Sequence, residues 1–167
     1  MLFEAFTAVL QLGLPVAVLT AIVLRPLYAS QELDREQDAK TLNASLKALG
    51  KARKKNKQAN ANLIEAKWWQ FGGGFYGAAA LWTFVVLELN EIVDLVTNFP
   101  PLATLLQKGI IGLVVSILVN QIQNLVQALV WFTYWTDAGV GVAVWMGIAY
   151  AGFLAGTALA KHVSRSP

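Results

Sequence analysis

Four long apolar segments alternate with polar connections along the chain. Each segment is long enough to form a helix that crosses the hydrocarbon core of a bilayer. The segments are 5–28, 71–93, 105–133 and 138–160. The pattern predicts an all-α integral membrane protein, a bundle of four transmembrane helices in one membrane domain of residues 1–167, ending in a short polar tail at 161–167.

The third segment differs from the others because polar side chains lie near the middle of its apolar run. At about 100° per residue, most of them fall on one helix face. The members of this amide face that we expect to meet protein or water are Ser116, Asn120, Gln123, Asn124, Gln127 and Trp131. Gln121 lies at the boundary, and the opposite face, with Ile122, Leu125 and Leu129, is entirely apolar. One side of the helix suits lipid, and the other needs hydrogen-bonding partners.

Residues 29–67 form the charged, basic loop of the molecule, and helix-forming residues dominate it. The positive-inside rule therefore places this loop in the cytoplasm. Leu42, Leu46 and Leu49 repeat at helical spacing, and Gly50 is a natural residue to end a helix. We expect a cytoplasmic helical hairpin that turns at Gly50, with a solvated charged loop as the alternative.

The second arm of this loop carries a dense group of basic side chains. They are Lys51, Arg53, Lys54, Lys55 and Lys57. Such a group suits anionic lipid headgroups, at about 1 kcal/mol per basic residue near the membrane surface. The arm has no interleaved aromatic residues on which bases could stack, so we do not expect it to bind nucleic acid.

The positive charges also bear on the topology. With the basic loop in the cytoplasm and four crossings, both termini lie outside together with Lys161 and Arg165, which conflicts with the positive-inside rule. A re-entrant acidic stretch at 86–104 would place the tail inside instead. Four crossings remain the prediction, because the stretch from Phe71 to Leu87 alone reaches the minimum length of a span.

Small residues and prolines predict how the helices pack and bend. Gly73 and Gly77 have the spacing that lets two helix backbones approach closely. The fourth segment carries two rows of small residues, one of Gly147, Ala151 and Ala155 and one of Gly152, Gly156 and Ala160. Pro15 is expected to kink the first helix, and Arg25-Pro26 is expected to end it at an interface.

Composition agrees with a membrane protein and narrows its chemistry. Of the 167 residues, 56% are apolar and 14% are charged, whereas about 25% of residues in soluble domains are charged. The chain has no cysteine and a single histidine, His162, so we expect no disulfide, no thiolate nucleophile and no His-based metal site. A cleaved signal peptide is not expected, because Glu4 rather than a basic residue precedes the first apolar run.

The sequence contains none of the common catalytic or cofactor signatures, so we expect neither enzyme activity nor a cofactor. The second segment does end in three acids, Glu88, Glu91 and Asp94. They could serve as an acid/base pair or as cation ligands. We favour a polar helix end at the outer interface, because the turn at 97–101 follows closely.

Two functions fit this pattern. The first is a small integral membrane subunit that assembles through the amide face, as a homo-oligomer or as an accessory subunit of a larger complex. The second is a pore or transport subunit whose amide face lines a water-filled path. An ion path usually contains a charged group at the midplane, whereas the middle of the third segment has only amides, so the pattern favours assembly. The expected partners are membrane lipids and other membrane subunits or copies of the chain, in the cell membrane, as a multi-pass protein.

Overall fold

The computed structural model describes residues 6–56, 63–98, 102–136 and 141–164; the side chains of 54–56, 102–108, 110 and 113 also lie outside the described part. Every regular element in these ranges is helical, which confirms the all-α prediction. A π-helical stretch, Val9–Gly13, is followed by seven α-helices: α1 (Leu14–Ala29), α2 (Ala39–Asn56), α3 (Leu63–Gln70), α4 (Gly74–Thr97), α5 (Leu102–Leu129), α6 (Trp131–Trp135) and α7 (Val142–Val163).

The first apolar segment is irregular just before Pro15, where the π-helical stretch Val9–Gly13 leads into α1. Pro15 has no N–H to donate to the carbonyl of Gln11 one turn earlier. The indole N–H of Trp82 donates to that carbonyl instead, at 2.7 Å. The predicted end at Arg25-Pro26 is wrong, because α1 contains Pro26 and continues for three more residues.

Helices α1 and α7 pack closely through glycines. A Cβ added at Gly152 would overlap with the carbonyl oxygen of Gly13, and one at Gly156 would overlap with that of Ala17. Gly152, Gly156 and Ala160 are all buried, so this predicted row of small residues does form a helix contact. The other predicted row remains on the exposed side of the helix: Gly147, Ala151 and Ala155.

The same contacts show that α1 and α7 run parallel. Gly13 meets Gly152 and Ala17 meets Gly156, so residue numbers rise in the same direction along both helices. Their C-terminal ends are therefore on one side of the molecule. There the ammonium of Lys161 donates to the carbonyl of Gln37 at 3.0 Å. If both helices cross a bilayer, an odd number of crossings lies between them and the total is odd, unlike the four crossings predicted with a tail opposite the basic loop.

Helix α2 passes through Gly50 without a break, so the predicted turn at that residue is wrong. The ring of Trp69 from α3 lies directly over Gly50, where an added Cβ would be 2.8 Å from it. The guanidinium of Arg53 pairs with the carboxylate of Glu65, which also joins the two helices. Glycine at position 50 thus admits an indole ring, and the connection at 57–62 is outside the described residues.

Three glycines set the start of α4. Gly72, Gly73 and Gly74 have φ values of 97°, 68° and 61°, which glycine adopts without strain. Gly73 and Gly77 were predicted to let another helix backbone approach closely. In the structure the rings of Trp69 and Trp68 pack against these glycines instead. The indole N–H of Trp68 also donates to the Gly74 carbonyl, at 3.0 Å.

The third apolar segment was predicted as one span, 105–133, but it is interrupted twice. Gly109 in α5 has non-helical angles, φ 64° and ψ 170°. Val130 ends that helix with φ −103° and ψ 36°, and the short α6 follows. The second break lets the chain turn and bury two indoles. Trp131 and Trp135 are both buried, and the N–H of Trp135 donates to the hydroxyl of Thr83 at 2.9 Å.

Among the described residues, two helical stretches are long and apolar enough to cross a membrane, Phe6–Ala29 and Val142–Val163. Only 39% and 33% of their apolar windows are buried, so most of each helix faces outward. The core helix of a soluble protein would be mostly covered. The apolar stretch Val114–Leu129 of α5 is shorter than these two.

Candidate functional site

The candidate site lies where the second half of α4 runs beside the middle of α5. The two helices are antiparallel, because Glu88 meets Asn124 while the hydroxyl of Tyr76, near the start of α4, donates to the carbonyl of Leu129 at the end of α5. The acidic helix end and the amide face were predicted separately. The structure brings Glu88 of the acidic helix end into contact with Asn124 of the amide face.

Glu88 is held by side-chain amides. The amide nitrogen of Gln121 donates to both carboxylate oxygens, at 2.9 and 3.1 Å, and that of Asn124 donates to one of them at 3.0 Å. Asn124 is buried and Glu88 is half-buried. Neutral amide donors stabilise the carboxylate by charge-assisted hydrogen bonds.

An acidic groove opens beside this cluster. It is defined by Glu88, Glu91, Asp94, Asn98, Asn120 and Gln121, together with three apolar residues, and its volume is about 570 Å³. Asp94 accepts a hydrogen bond from the amide of Asn98 at 2.7 Å. Glu91 is half-buried and has no hydrogen-bond partner among the described residues. The groove therefore presents carboxylate and amide oxygens to whatever fills it.

The predicted amide face divides into parts with different surroundings. Asn124 is buried at Glu88, and Asn120 lines the acidic groove. Ser116 donates to the carbonyl of Gly112 in its own helix, at 2.8 Å. Trp131 is fully buried in α6.

Gln123 and Gln127 remain, and we call these two residues the amide row. Both are exposed, and neither has a hydrogen-bond partner in the described part of the chain. Gln127 lies one turn after Gln123, so their side chains are neighbours on the helix surface. Exposed apolar side chains lie beside the row: Val119 and Val126.

Gln121 is the residue that the sequence pattern undervalued. The amide face was centred on the greatest density of polar residues, whereas α5 meets α4 along a stripe rotated away from that centre. Ile117, Gln121, Asn124 and Ala128 lie on this stripe, at the i, i+4, i+7 and i+11 positions of a helix. Ala128 is the sequence signal that could have located this stripe, because small residues mark close helix contacts in membranes. It is fully buried in the structure.

The basic side chains predicted to bind headgroups are only partly described. Arg53 pairs with the carboxylates of Glu32, at 2.9 Å, and Glu65, so its guanidinium is already neutralised within the protein. Lys51 is exposed. The side chains of Lys54 and Lys55, and all of Lys57, lie outside the description. Headgroup binding by this arm stays a prediction.

The chemistry of the site is that of hydrogen bonding and negative charge. Side-chain amides donate and accept hydrogen bonds at every pH, and carboxylates accept them and attract cations. Comparisons with protein-family models, curated proteins and solved structures find no match to this chain. Its own residues are the basis for any functional proposal.

Proposed function

We propose that this protein is a small integral membrane subunit that assembles with a second copy of itself through the amide row of α5, Gln123 and Gln127. The observation that carries the proposal is that both side chains are exposed without partners among the described residues, beside exposed apolar neighbours. An amide left unpaired in hydrocarbon costs several kcal/mol. Contact with a second protein surface removes that cost.

Membrane location is the first part of the proposal. Two helices in the described part of the chain have the length and composition of spans, and most of their surface faces outward. With α1 and α7 parallel, three crossings are the simplest topology, in which α4 to α6 provide the return. The basic loop and Lys161 then share the cytoplasmic side, which removes the conflict with the positive-inside rule.

A second copy is the partner that fits the amide row best. Each side-chain amide is both a donor and an acceptor. Two copies related by a two-fold axis present the same pair of residues to each other, so every donor can face an acceptor. A different membrane subunit would need a matching polar pair of its own.

The direct test replaces Gln123 and Gln127 together by Leu in the full chain. Interhelical hydrogen bonds in membranes average about 0.6 kcal/mol each, so loss of the four amides of a dimer should weaken association by about 2 kcal/mol, roughly 30-fold in the dissociation constant. The mass of the particle in mild detergent and in lipid nanodiscs measures this. The parent should be a dimer under conditions where the variant is a monomer.

The matched control changes Ile122 and Leu129 to Ala on the opposite side of α5. Both are exposed, at 61% and 40%, and we expect the dimer to persist. A parent that stays monomeric when concentrated in nanodiscs, or a double Leu variant that dimerises like the parent, would contradict the proposal. A parent monomer that joins a different subunit through the same residues would show that the partner was wrongly chosen.

A water-filled path along the acidic groove is the second candidate. The observation that favours it is that Glu88, a carboxylate, supplies the charge that the amide face lacked in the sequence pattern. In proteoliposomes containing the full chain, Glu88→Gln should then reduce potassium flux and leave the particle mass unchanged. Equal flux from parent, variant and empty vesicles would exclude this function.

A further inference from the structure

A second surface, away from the amide row, lies between α1 and α7 near their C-terminal ends. This α1–α7 groove has a volume of about 460 Å³, within the usual range of ligand pockets. Ile22, Pro26, Leu159 and Val163 form its apolar walls. It exists because alanines, not larger residues, lie at the helix contact there, among them Ala21 and Ala160.

Arg25 is the charged residue that lines this groove. Its side chain is exposed and has no carboxylate partner in the part of the chain that the structure describes. Arg53 and Lys161 do have partners, Glu32 and Glu65 for the first and the Gln37 carbonyl for the second. The guanidinium of Arg25 is therefore available at the side of an apolar groove.

Its position along α1 matches that of a lipid phosphate. Arg25 lies four residues before the end of α1, at the end of the molecule that holds the basic loop. If α1 crosses the bilayer, this level is the headgroup region of the cytoplasmic leaflet, and the groove continues from there toward the hydrocarbon. A guanidinium binds phosphate oxygens through two parallel hydrogen bonds.

We propose that the α1–α7 groove binds one anionic phospholipid. The phosphate pairs with Arg25, and the first part of an acyl chain lies against Ile22, Leu159 and Val163. The inference rests on the membrane location proposed above and is independent of the amide row. An anionic lipid is favoured over a zwitterionic one, because the positively charged headgroup of a zwitterionic lipid would lie close to the positive charge of Arg25.

The test measures phospholipid bound to the purified full chain by native mass spectrometry, with phosphatidylglycerol or phosphatidylcholine as the probe. The parent should retain one phosphatidylglycerol and bind it about fivefold more tightly than phosphatidylcholine, as expected for one basic residue at the membrane surface. Arg25→Gln should abolish the preference. Arg25→Lys should keep much of it, since the charge remains.

Two further variants locate the lipid. Lys47→Gln removes the same charge from an exposed position of α2 and should leave the preference intact. Ala29→Trp should fill the groove and reduce the binding of both lipids, because Ala29 is an exposed lining residue and Arg25 is unchanged.

An unaltered preference in Arg25→Gln, an equal loss in Lys47→Gln, or full lipid retention in Ala29→Trp would each overturn the proposal. The particle mass, recorded in the same spectra, keeps this result separate from the assembly proposal. A monomeric parent that still prefers phosphatidylglycerol would refute assembly and support the lipid site.

Discussion

Asn124 and Gln123 are adjacent in the sequence and have the same functional group, yet their surroundings differ. Asn124 is buried and donates to Glu88, whereas Gln123 is exposed without a partner in the described chain. The helical pattern placed both on one polar face. It could not separate them, because the direction of contact with α4 is a tertiary property that polar density does not reveal.

This difference gives a prediction for two single variants. Asn124→Leu should lower the free energy of unfolding by about 1–3 kcal/mol, because it leaves the half-buried carboxylate of Glu88 with fewer donors. Gln123→Leu should leave the stability of the monomer unchanged. Thermal unfolding in detergent measures both. Equal effects of the two substitutions would contradict the hydrogen-bonded cluster at Glu88.

Asp38 makes the stability of the first turn of α2 depend on pH. Its carboxylate accepts the backbone N–H of Thr41 at 2.9 Å at the start of α2, and hydrogen bonding by Thr41 holds its pKa below the ordinary value of 3.8. A lowered pKa in the folded state means that the cap stabilises α2 above the unfolded pKa, and that this stability is lost as the pH falls through the folded value.

The exposed position of Asp38 makes the expected effect local. Acidification below about pH 4 should lower the protection of amides in the first turn of α2, that is, their exchange rate relative to the intrinsic rate at the same pH, measured by hydrogen–deuterium exchange. Asp38→Asn should keep the cap and abolish its pH dependence, since Asn also caps helices well and does not titrate. Unchanged pH dependence in that variant would assign the titration to another group.

At the scale of elements, the packing of α1 on α7 was partly predictable. The row with Gly152 and Gly156 identified the contact, because only small residues allow two backbones to approach so closely. The turn expected at Gly50 failed for a related reason. A glycine can end a helix or admit a large ring, and the ring of Trp69 lies 19 residues away in the sequence, beyond any local pattern.

The α1–α7 contact can be tested by adding bulk. Gly156→Leu should destabilise the protein by about 3 kcal/mol or prevent folding, since the added side chain would overlap with the backbone of Ala17. Gly147→Leu is the matched control on the same helix, because an added Cβ there meets nothing within 4 Å. Thermal unfolding compares the two variants. Similar stability of both would refute the close contact.

At the scale of the molecule, the sequence located the apolar segments better than it located their directions. With four crossings, Lys161 would lie outside, which already conflicted with the positive-inside rule. Its hydrogen bond to the Gln37 carbonyl puts the tail beside the basic loop. Hydropathy could not resolve the conflict. The number of crossings depends on which apolar stretches turn back, and here breaks at Gly109 and Val130 interrupt the third one.

The topology can be tested with single cysteines that replace Ala44 in α2 or His162 near the end of α7, both exposed positions. With α1 and α7 parallel, both cysteines should resist a membrane-impermeant thiol reagent in intact cells and react after permeabilisation. Labelling of position 162 alone in intact cells would restore the four-crossing topology. Labelling of both would reverse the orientation.

The most direct test of assembly through the amide row uses one cysteine at a time, since the chain has none of its own. No disulfide can then form within one copy, and one that joins two copies gives a product of twice the mass of the chain. In native membranes under oxidising conditions, Gln127→Cys should yield a covalent dimer on a non-reducing gel. Ile122→Cys, on the opposite side of α5, should stay monomeric. Dimers from both positions in equal yield, or from Ile122→Cys alone, would contradict an interface at the amide row.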